Sequence, residues 1–252
     1  MALQEELEKQ GNWLFRYRGI LPLLILFTGM SVYLKAKYYH TFLFNDGGTY
    51  EINYQWICLF VSLFGFLIRV YTVGYSRANT SGRNTKSQIA DSLSTTGVYS
   101  LVRHPLYLGN FFMWLGPALL IENLWFIFVF GFLYWIYYER IMFAEEQFLR
   151  KKFAEEYIQW AENVPAFLPS LNFKKYISPS VDFSWKKVLK KEKNGFFAIF
   201  LTFSIFNVIG NLIVNEKNFN YPLLILCLLT GVSYLILKYL KRNTNLLEEK
   251  GR

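Results

Sequence analysis

Apolar residues are grouped along this chain into six long runs that contain almost no charge. The runs cover residues 19–34, 52–68, 106–121, 123–138, 195–215 and 218–237. A helix needs about 20 apolar residues to cross the hydrocarbon core of a bilayer. Tyrosines beside the shorter runs, such as Tyr38 and Tyr138, can occupy the membrane interface. The pattern therefore predicts an all-α integral membrane protein with about six transmembrane helices.

The connections between the runs divide the chain into three parts. Only Glu122 separates the third run from the fourth, which predicts a tight antiparallel helical hairpin. The first ten residues carry three glutamates and lack the basic region of a signal peptide, so we expect an interfacial helix that stays attached. We expect residues 1–83 to form this helix and two spans, 84–172 a catalytic core with the hairpin and a cytoplasmic amphipathic helix, and 173–252 a basic interfacial segment with two spans.

The distribution of Lys and Arg predicts the orientation. With the N-terminus in the cytoplasm, the inside segments hold 23 of the 27 Lys and Arg residues and the outside loops hold 3. Cytoplasmic loops of membrane proteins are enriched in these residues. Both termini and the two long loops are therefore expected in the cytoplasm. The chain also lacks a C-terminal retrieval motif, which fits a bacterial inner membrane without excluding the endoplasmic reticulum.

Composition supports the membrane assignment and excludes several kinds of site. The 252 residues are 53% hydrophobic and 18% charged, with a net charge of +9. No nucleic-acid motif accompanies that charge. Cys58 and Cys227 lie in apolar runs and are expected to be packing residues, and the chain has only two histidines, so we expect no metal site. No two glycines are spaced as G-x-G, which argues against a dinucleotide fold or a Rossmann methyltransferase.

Seven lysines between the hairpin and the last two runs form a basic segment with interleaved apolar residues. They are Lys174, Lys175, Lys186, Lys187, Lys190, Lys191 and Lys193. They indicate either a topology determinant with solvated side chains or a surface that captures anionic lipid headgroups.

Candidate chemistry begins with the segment before the third run. Pro105 suits the first turn of a helix, which places Arg103 and His104 at a helix N-terminus where backbone N–H groups favour an anion. Arg103 could add bidentate recognition of a carboxylate. The alternative is that Arg103 and His104 are ordinary interface anchors.

A second candidate follows the hairpin. Leu149, Phe153, Tyr157 and Trp160 recur at helical spacing and define one apolar face. Glu145 lies on that face, so its carboxylate should point inward and needs a cationic partner. That partner is either a cationic ligand or an intramolecular salt bridge to Arg103 or Arg140. Arg69, at the end of the second run, either snorkels to the interface or lines a polar cavity.

These two segments carry a resemblance to a known superfamily. One motif is Gly97-Val98-Tyr99 followed by Arg103-His104-Pro105-x-Tyr107-x-Gly109. The other is Glu145-Glu146-x-x-Leu149-x-x-x-Phe153, followed by Glu156-Tyr157 and by Val164-Pro165. Together, over residues 84–171, they resemble the isoprenylcysteine carboxyl methyltransferase and phospholipid methyltransferase superfamily.

The resemblance implies an integral membrane enzyme that uses S-adenosylmethionine at the cytoplasmic mouth of the bundle. The residues it implies for the cofactor are Leu93, Tyr99, Arg103, His104, Pro105, Leu106, Tyr107, Glu145 and Glu146. Arg140 looks like the family arginine that faces the substrate, and Arg140 and Glu145 are the implied catalytic residues. This chain departs from some relatives in having Asp91-Ser92 before Leu93, and Ala154 where a glycine is frequent.

The sequence thus predicts a methyltransferase that acts on a membrane lipid or another amphiphile. The acceptor could be a prenylated cysteine carboxylate, a phospholipid amine, a lipid phosphate or a thiol. A carboxylate or phosphate needs no base, whereas an amine or thiol must lose a proton. Two alternatives remain: an NADPH-dependent sterol-type reductase, whose family resembles the first motif but tends to have Asn in place of Leu106, and a non-catalytic transport or assembly protein.

Overall fold

The computed structural model describes residues 2–42, 49–77, 80, 88–249 and 251, and within these ranges the chain is all-helical, without strands. Seven α-helices follow one another: α1 Leu3–Arg16, α2 Leu21–Tyr38, α3 Thr49–Gly74, α4 Pro105–Leu120, α5 Leu124–Asn163, α6 Trp185–Ile213 and α7 Tyr221–Asn243. This confirms the predicted all-α class.

Four of these helices are long and apolar enough to cross a membrane, namely α3, α5, α6 and α7. The other two that coincide with apolar runs are shorter, with 18 residues in α2 and 16 in α4. At 1.5 Å per residue, α4 is about 24 Å long, less than the roughly 30 Å of a bilayer core. The six-span count therefore stays a prediction, with α2 and α4 as the two short members.

The hairpin between α4 and α5 is as tight as the sequence predicted. Pro105 occupies the first turn of α4, and three residues connect the end of that helix to α5. Glu122 in this connection has a φ of 53°, in the left-handed region that reverses the chain. The side chain of Asn123 then accepts a hydrogen bond from the Phe126 N–H at 2.9 Å and caps α5.

Two aromatic-rich cores hold the bundle together. The first lies between α2, α3, α6 and α7 and includes Tyr33, Phe203 and Phe206. Cys58 is buried in it and Cys227 packs against it, as expected of packing residues. The second lies between α1, α4 and α5, and its buried members are Phe15, Tyr107, Ala118, Phe130, Tyr134, Tyr137, Tyr138, Ile141 and Met142. The N-terminal helix is therefore part of the packed structure.

Gly109 on α4 makes a close contact with α3 beside the site. A Cβ atom there would lie 2.6 Å from the Cγ of Arg69 and 2.8 Å from the carbonyl oxygen of Gly65, both on α3. Only a residue without a side chain permits this approach. Gly109 therefore fixes the Arg69 side chain against the first turns of α4.

Helix α6 begins ten residues before the apolar run that predicted it, and so absorbs much of the basic segment. Lys187 is buried, and its Nζ donates to the carbonyl oxygens of Ser76 at 2.6 Å and Arg77 at 2.8 Å. These carbonyls follow the end of α3, where backbone acceptors lack helical partners. Lys193 is also buried. The predicted basic surface was therefore wrong for Lys187 and Lys193, whose buried side chains make contacts within the fold.

The two ends of the bundle differ. At one end, Lys37 of α2 forms an ion pair with Glu51 of α3 and lies 3.7 Å from Glu216. At the other end, the last turn of α3, the first turns of α4 and α6, and the middle of α5 converge around a cavity. Both described ends of the chain lie near it, because α1 packs on α5 and Ser184 donates to Glu249.

Candidate active site

The cavity at this end of the bundle has a volume of about 630 Å³ and brings most of the predicted site residues together. Its lining includes Leu93, Tyr99, Arg103, His104, Pro105, Leu106, Tyr107 and Glu145. Among the residues that the structure describes, its wall also draws on α1, α3 and α6. The site therefore combines all three predicted parts of the chain and is larger than the 84–172 segment.

Backbone hydrogen bonds join the two sequence motifs directly. The Arg103 N–H donates to the carbonyl of Pro165 at 2.9 Å, and the His104 N–H donates to that of Ala166 at 3.1 Å. The indole N–H of Trp160 donates to the carbonyl of Tyr99 at 3.2 Å. The loop after α5 thereby fixes the segment before α4, although about 60 residues separate them. This explains why the two motifs occur as a pair.

His104 lies at the N-cap of α4 with its buried ring between two carboxylates. Its Nε2 is 3.0 Å from Glu146 Oε1, and its Nδ1 is 3.6 Å from Glu145 Oε2. Burial alone lowers the pKa of His104, but the hydrogen bonds and charges of the two glutamates outweigh burial and raise the pKa above its ordinary value. The raised pKa favours the protonated imidazole, a cation placed between both carboxylates at this end of α4.

The two glutamates have different surroundings. Glu145 accepts a hydrogen bond from the Tyr107 hydroxyl at 2.9 Å, lines the cavity and keeps 33% of its side chain exposed. Glu146 instead accepts from Arg103 Nη1 at 3.1 Å and is absent from the described lining. The salt bridge to Arg103 that was one alternative for Glu145 is therefore made by Glu146. Glu145 is the glutamate that presents a carboxylate to a ligand.

Aromatic side chains surround Glu145. Tyr157 and Trp160 line the cavity with Leu149, as the predicted helical face requires, whereas Phe153 is not among the described lining residues. Burial raises the pKa of the Tyr99 hydroxyl, and the Glu145 charge raises it further, while the Arg69 charge lowers it. Tyr99 therefore stays protonated at neutral pH and lies within the electrostatic reach of both charged groups.

Helix α5 is interrupted within this face. Ala154 has a φ of 44° and a ψ of −116°, a backbone conformation that favours glycine. The break divides α5 into a long segment that carries Glu145 and a short one that carries Tyr157 and Trp160. The position at which the resemblance implies a frequent glycine is thus one where glycine fits better than alanine.

The opposite wall of the cavity contains a second charged group, centred on Arg69. Its Nε and Nη2 donate to the two carboxylate oxygens of Glu192 on α6, at 2.9 and 2.8 Å. Its Nη1 donates to Asn110 Oδ1 at 2.7 Å, and the Asn110 amide donates to the Tyr138 hydroxyl at 3.3 Å. Of the two alternatives for Arg69, the structure supports the cavity-lining one.

Several lining residues lie outside both motifs and were not predicted. They are Phe15 within α1, Arg18 two residues after it, and Lys191, Glu192 and Asn194 on α6. Glu192 carried a usable signal, since it is the single acidic residue from 185 to 214. Arg140 lies elsewhere: its Nη1 donates to Glu139 at 3.0 Å, and it is not among the described lining residues.

Comparison with known proteins adds family information to this geometry. Residues 56–156 match the phospholipid methyltransferase family. The protein-S-isoprenylcysteine O-methyltransferase of Saccharomyces cerevisiae is 34% identical over 114 residues, which are 44% of this chain and 47% of that protein. The cobalt-zinc-cadmium resistance protein CzcN of Cupriavidus metallidurans is 32% identical over 120 residues, 46% of this chain and 53% of that protein. No solved structure matches the chain.

The chain spans about half the length of the curated relatives it matches. The matched family segment covers most of α3, all of α4 and α5 up to its break. It contains His104, Tyr107 and Glu145 and excludes α1, α6 and α7. The resemblance to the isoprenylcysteine carboxyl and phospholipid methyltransferase superfamily is confirmed by these matches.

Proposed function

Because its central segment is similar to phospholipid and isoprenylcysteine methyltransferases, we propose that this chain transfers a methyl group from S-adenosylmethionine to a membrane lipid or another amphiphile. The single observation that carries the proposal is the position of Glu145. Its carboxylate faces a cavity of about 630 Å³, within the range of roughly 300–1,000 Å³ typical of small-molecule sites. A carboxylate in such a wall favours a cationic ligand.

The residues around Glu145 fit this cofactor. The Tyr107 hydroxyl orients the Glu145 carboxylate, which would attract the positive part of the cofactor, and Tyr99 and Trp160 offer aromatic surfaces for a purine ring. His104 neutralises part of the carboxylate charge from behind. When bound, S-adenosylmethionine would supply a methyl group activated by its positively charged sulfur.

The protein itself would contribute alignment and the exclusion of water. The cavity wall continues past Tyr107 to apolar side chains of α3 and α4, such as Val73 and Met113, which suit the hydrocarbon part of an amphiphile. We propose that the acceptor enters from the bilayer and presents its reactive group near Glu145. The catalytic role expected for Arg140 remains part of the proposal.

The same proposal includes the membrane arrangement. Six spans, an interfacial α1 and both termini in the cytoplasm, in a bacterial inner membrane, agree with the strong asymmetry of Lys and Arg and with the position of the cavity near both described chain ends. The lysines that remain exposed at this end, including Lys174, Lys175 and Lys186, would face anionic headgroups.

A titration of the detergent-purified chain tests the proposal. We expect S-adenosylhomocysteine to bind and NADPH not to bind. Labelled S-adenosylmethionine should then transfer its methyl group to one of three acceptors: an S-farnesylated N-acetylcysteine, phosphatidylethanolamine or farnesyl phosphate. Binding of NADPH alone would favour the reductase alternative, and binding of neither compound by folded protein would favour a non-catalytic role.

A further inference from the structure

Arg69 has unused hydrogen-bonding capacity at the cavity wall. A guanidinium carries five N–H groups, and three of those of Arg69 are bonded to Glu192 and Asn110. Within the described part of the chain, the other two, one on each terminal nitrogen, have no hydrogen-bond partner. The side chain is 15% exposed, and the residue lines the cavity. It therefore offers two donors of one rigid, positively charged group to whatever occupies this end.

Glu192 holds that group without covering it. The carboxylate binds the edge formed by Nε and Nη2, in the bidentate geometry that fixes a guanidinium most firmly. Asn110 fixes the third nitrogen from α4. Arginine can bind carboxylate or phosphate groups on more than one edge because its donors lie in a planar fork. The ion pair thus orients Arg69 and leaves it able to bind a second anion.

Other basic side chains line the same cavity as Arg69, namely those of Arg18, Arg103 and Lys191. Their charges would add to the attraction of Arg69 for an anionic group. Tyr99 lines the same cavity, and the pKa of its hydroxyl is influenced by both Glu145 and Arg69. An anion on Arg69 and a cation on Glu145 would therefore share one cavity.

We propose that Arg69 binds the anionic group of the acceptor, a carboxylate or a phosphate, and that Glu192 is its positioning residue. The inference rests on the proposed function, since it assigns the acceptor end of the same cavity. It also gives the C-terminal helices a role, because α6 lies outside the matched family segment and supplies Glu192.

The test compares two probes that differ only in charge, S-farnesylated N-acetylcysteine and its carboxamide, and measures their equilibrium binding to the full chain without cofactor. Arg69→Gln alone would take from the buried Glu192 carboxylate its Arg69 partner, and breaking a buried ion pair in this way is destabilising. The informative variant is therefore the double substitution Arg69→Gln with Glu192→Gln, which removes both charges. The matched control is Lys37→Gln with Glu51→Gln, which removes a buried ion pair at the opposite end of the bundle.

We expect the wild-type chain to bind the carboxylate about 10- to 100-fold more tightly than the carboxamide, the range for hydrogen bonds to a charged group. The Arg69 and Glu192 double variant should bind the two equally, and Glu192→Gln alone should retain part of the preference. The control should keep the wild-type ratio. A preference that survives in the Arg69 double variant, that is absent from the wild type, or that the control also loses would overturn the proposal.

A parallel arm with farnesyl phosphate and farnesol identifies the anion. An Arg69-dependent preference larger for the phosphate pair than for the carboxylate pair assigns a phosphate acceptor, and the reverse assigns a carboxylate. Because these ratios need no cofactor, failure of S-adenosylhomocysteine to bind would refute the methyltransferase proposal separately from the role of Arg69.

Discussion

Each end of the cavity pairs a carboxylate with a cationic side chain, but the two ends differ in which of these groups faces the cavity. At the Glu145 end, a carboxylate faces the cavity and the His104 imidazole lies behind it. At the Arg69 end, a guanidinium offers donors to the cavity and the carboxylate of Glu192 orients it on another edge. Each end is close to neutral within itself, yet each presents a different charge to a ligand. The cavity is thus suited to hold two reactants of opposite charge next to each other.

The ends also differ in where their residues lie along the chain. His104, Tyr107 and Glu145 all fall within the segment that matches the phospholipid methyltransferase family. The other end joins Arg69 and Asn110, from that segment, to Glu192 on α6 outside it. The proposed methyl-donor end therefore lies wholly within the matched segment, whereas the proposed acceptor end is completed by a helix outside it.

The largest effect on ligand binding is expected from a substitution at the Glu145 end. Glu145→Gln should weaken S-adenosylmethionine binding by about 10- to 100-fold, because the ligand loses a charged hydrogen-bonding partner. The effect on the uncharged sulfur of S-adenosylhomocysteine should be smaller. Calorimetric titration of both compounds measures the difference. Glu155→Gln, an exposed change on the same helix, is the control, and equal losses in the two variants would show that Glu145 has no special role.

A steric change should disturb the Arg69 end next most strongly. Gly109→Ala places a Cβ 2.6 Å from Arg69 Cγ and 2.8 Å from the Gly65 carbonyl oxygen. Overpacking of this kind costs about 1–3 kcal/mol, so the thermal unfolding midpoint in detergent should fall by several degrees. Gly131→Ala on α5, where an added Cβ meets nothing within 4 Å, should leave the midpoint unchanged or raise it.

The charge of His104 should make the Glu145 end sensitive to pH. Its pKa is raised in the folded chain, so its contribution to stability is fully present below the ordinary histidine pKa of about 6.5 and is lost as pH rises through the raised value. Unfolding midpoints of wild type and His104→Gln, measured from pH 6 to pH 9, should therefore converge as pH rises. A gap that widens with pH would contradict this assignment.

The smallest effect concerns the break in α5 beside the aromatic wall. Ala154→Gly should raise the stability by about 1 kcal/mol, because glycine adopts a φ of 44° without steric strain. Ala161→Gly, a control substitution in the helical segment after the break, should lower stability by about 0.5–1 kcal/mol. Equilibrium unfolding of both variants tests the opposite signs, and a loss of stability in both would refute the strain at Ala154.

Much of the Glu145 end could be predicted from the sequence, because its residues lie in two compact motifs. The helical spacing of Leu149, Tyr157 and Trp160 placed Glu145 on an inward face, and Pro105 placed His104 at a helix N-terminus. The sequence could not distinguish Glu145 from Glu146, since adjacent residues on a helix differ by about 100° and only the packing of α4 against α5 decides which one meets the cavity.

The Arg69 end could be predicted only in part. Arg69 was visible as a charge at the end of an apolar run, but its partner lies more than 100 residues away on α6. Glu192 is recognisable as an acidic residue among lysines, but a local charge pattern does not reveal which residue it pairs with in the folded chain. The apolar run predicts a start of α6 that is ten residues too late. Hydropathy does not detect the earlier turns, because Lys187 there is buried by contacts with the residues after α3.

The ion pair between Arg69 and Glu192 has a consequence for membrane insertion. During synthesis, α3, α4 and α5 emerge before α6, so Arg69 enters the assembling bundle before its carboxylate partner exists. A charge within an apolar helix is costly until it is paired. Docking of the α6 and α7 pair therefore both neutralises Arg69 and closes the cavity wall. Helix α6 thus completes a site whose Arg69 and Glu145 lie on helices made before it.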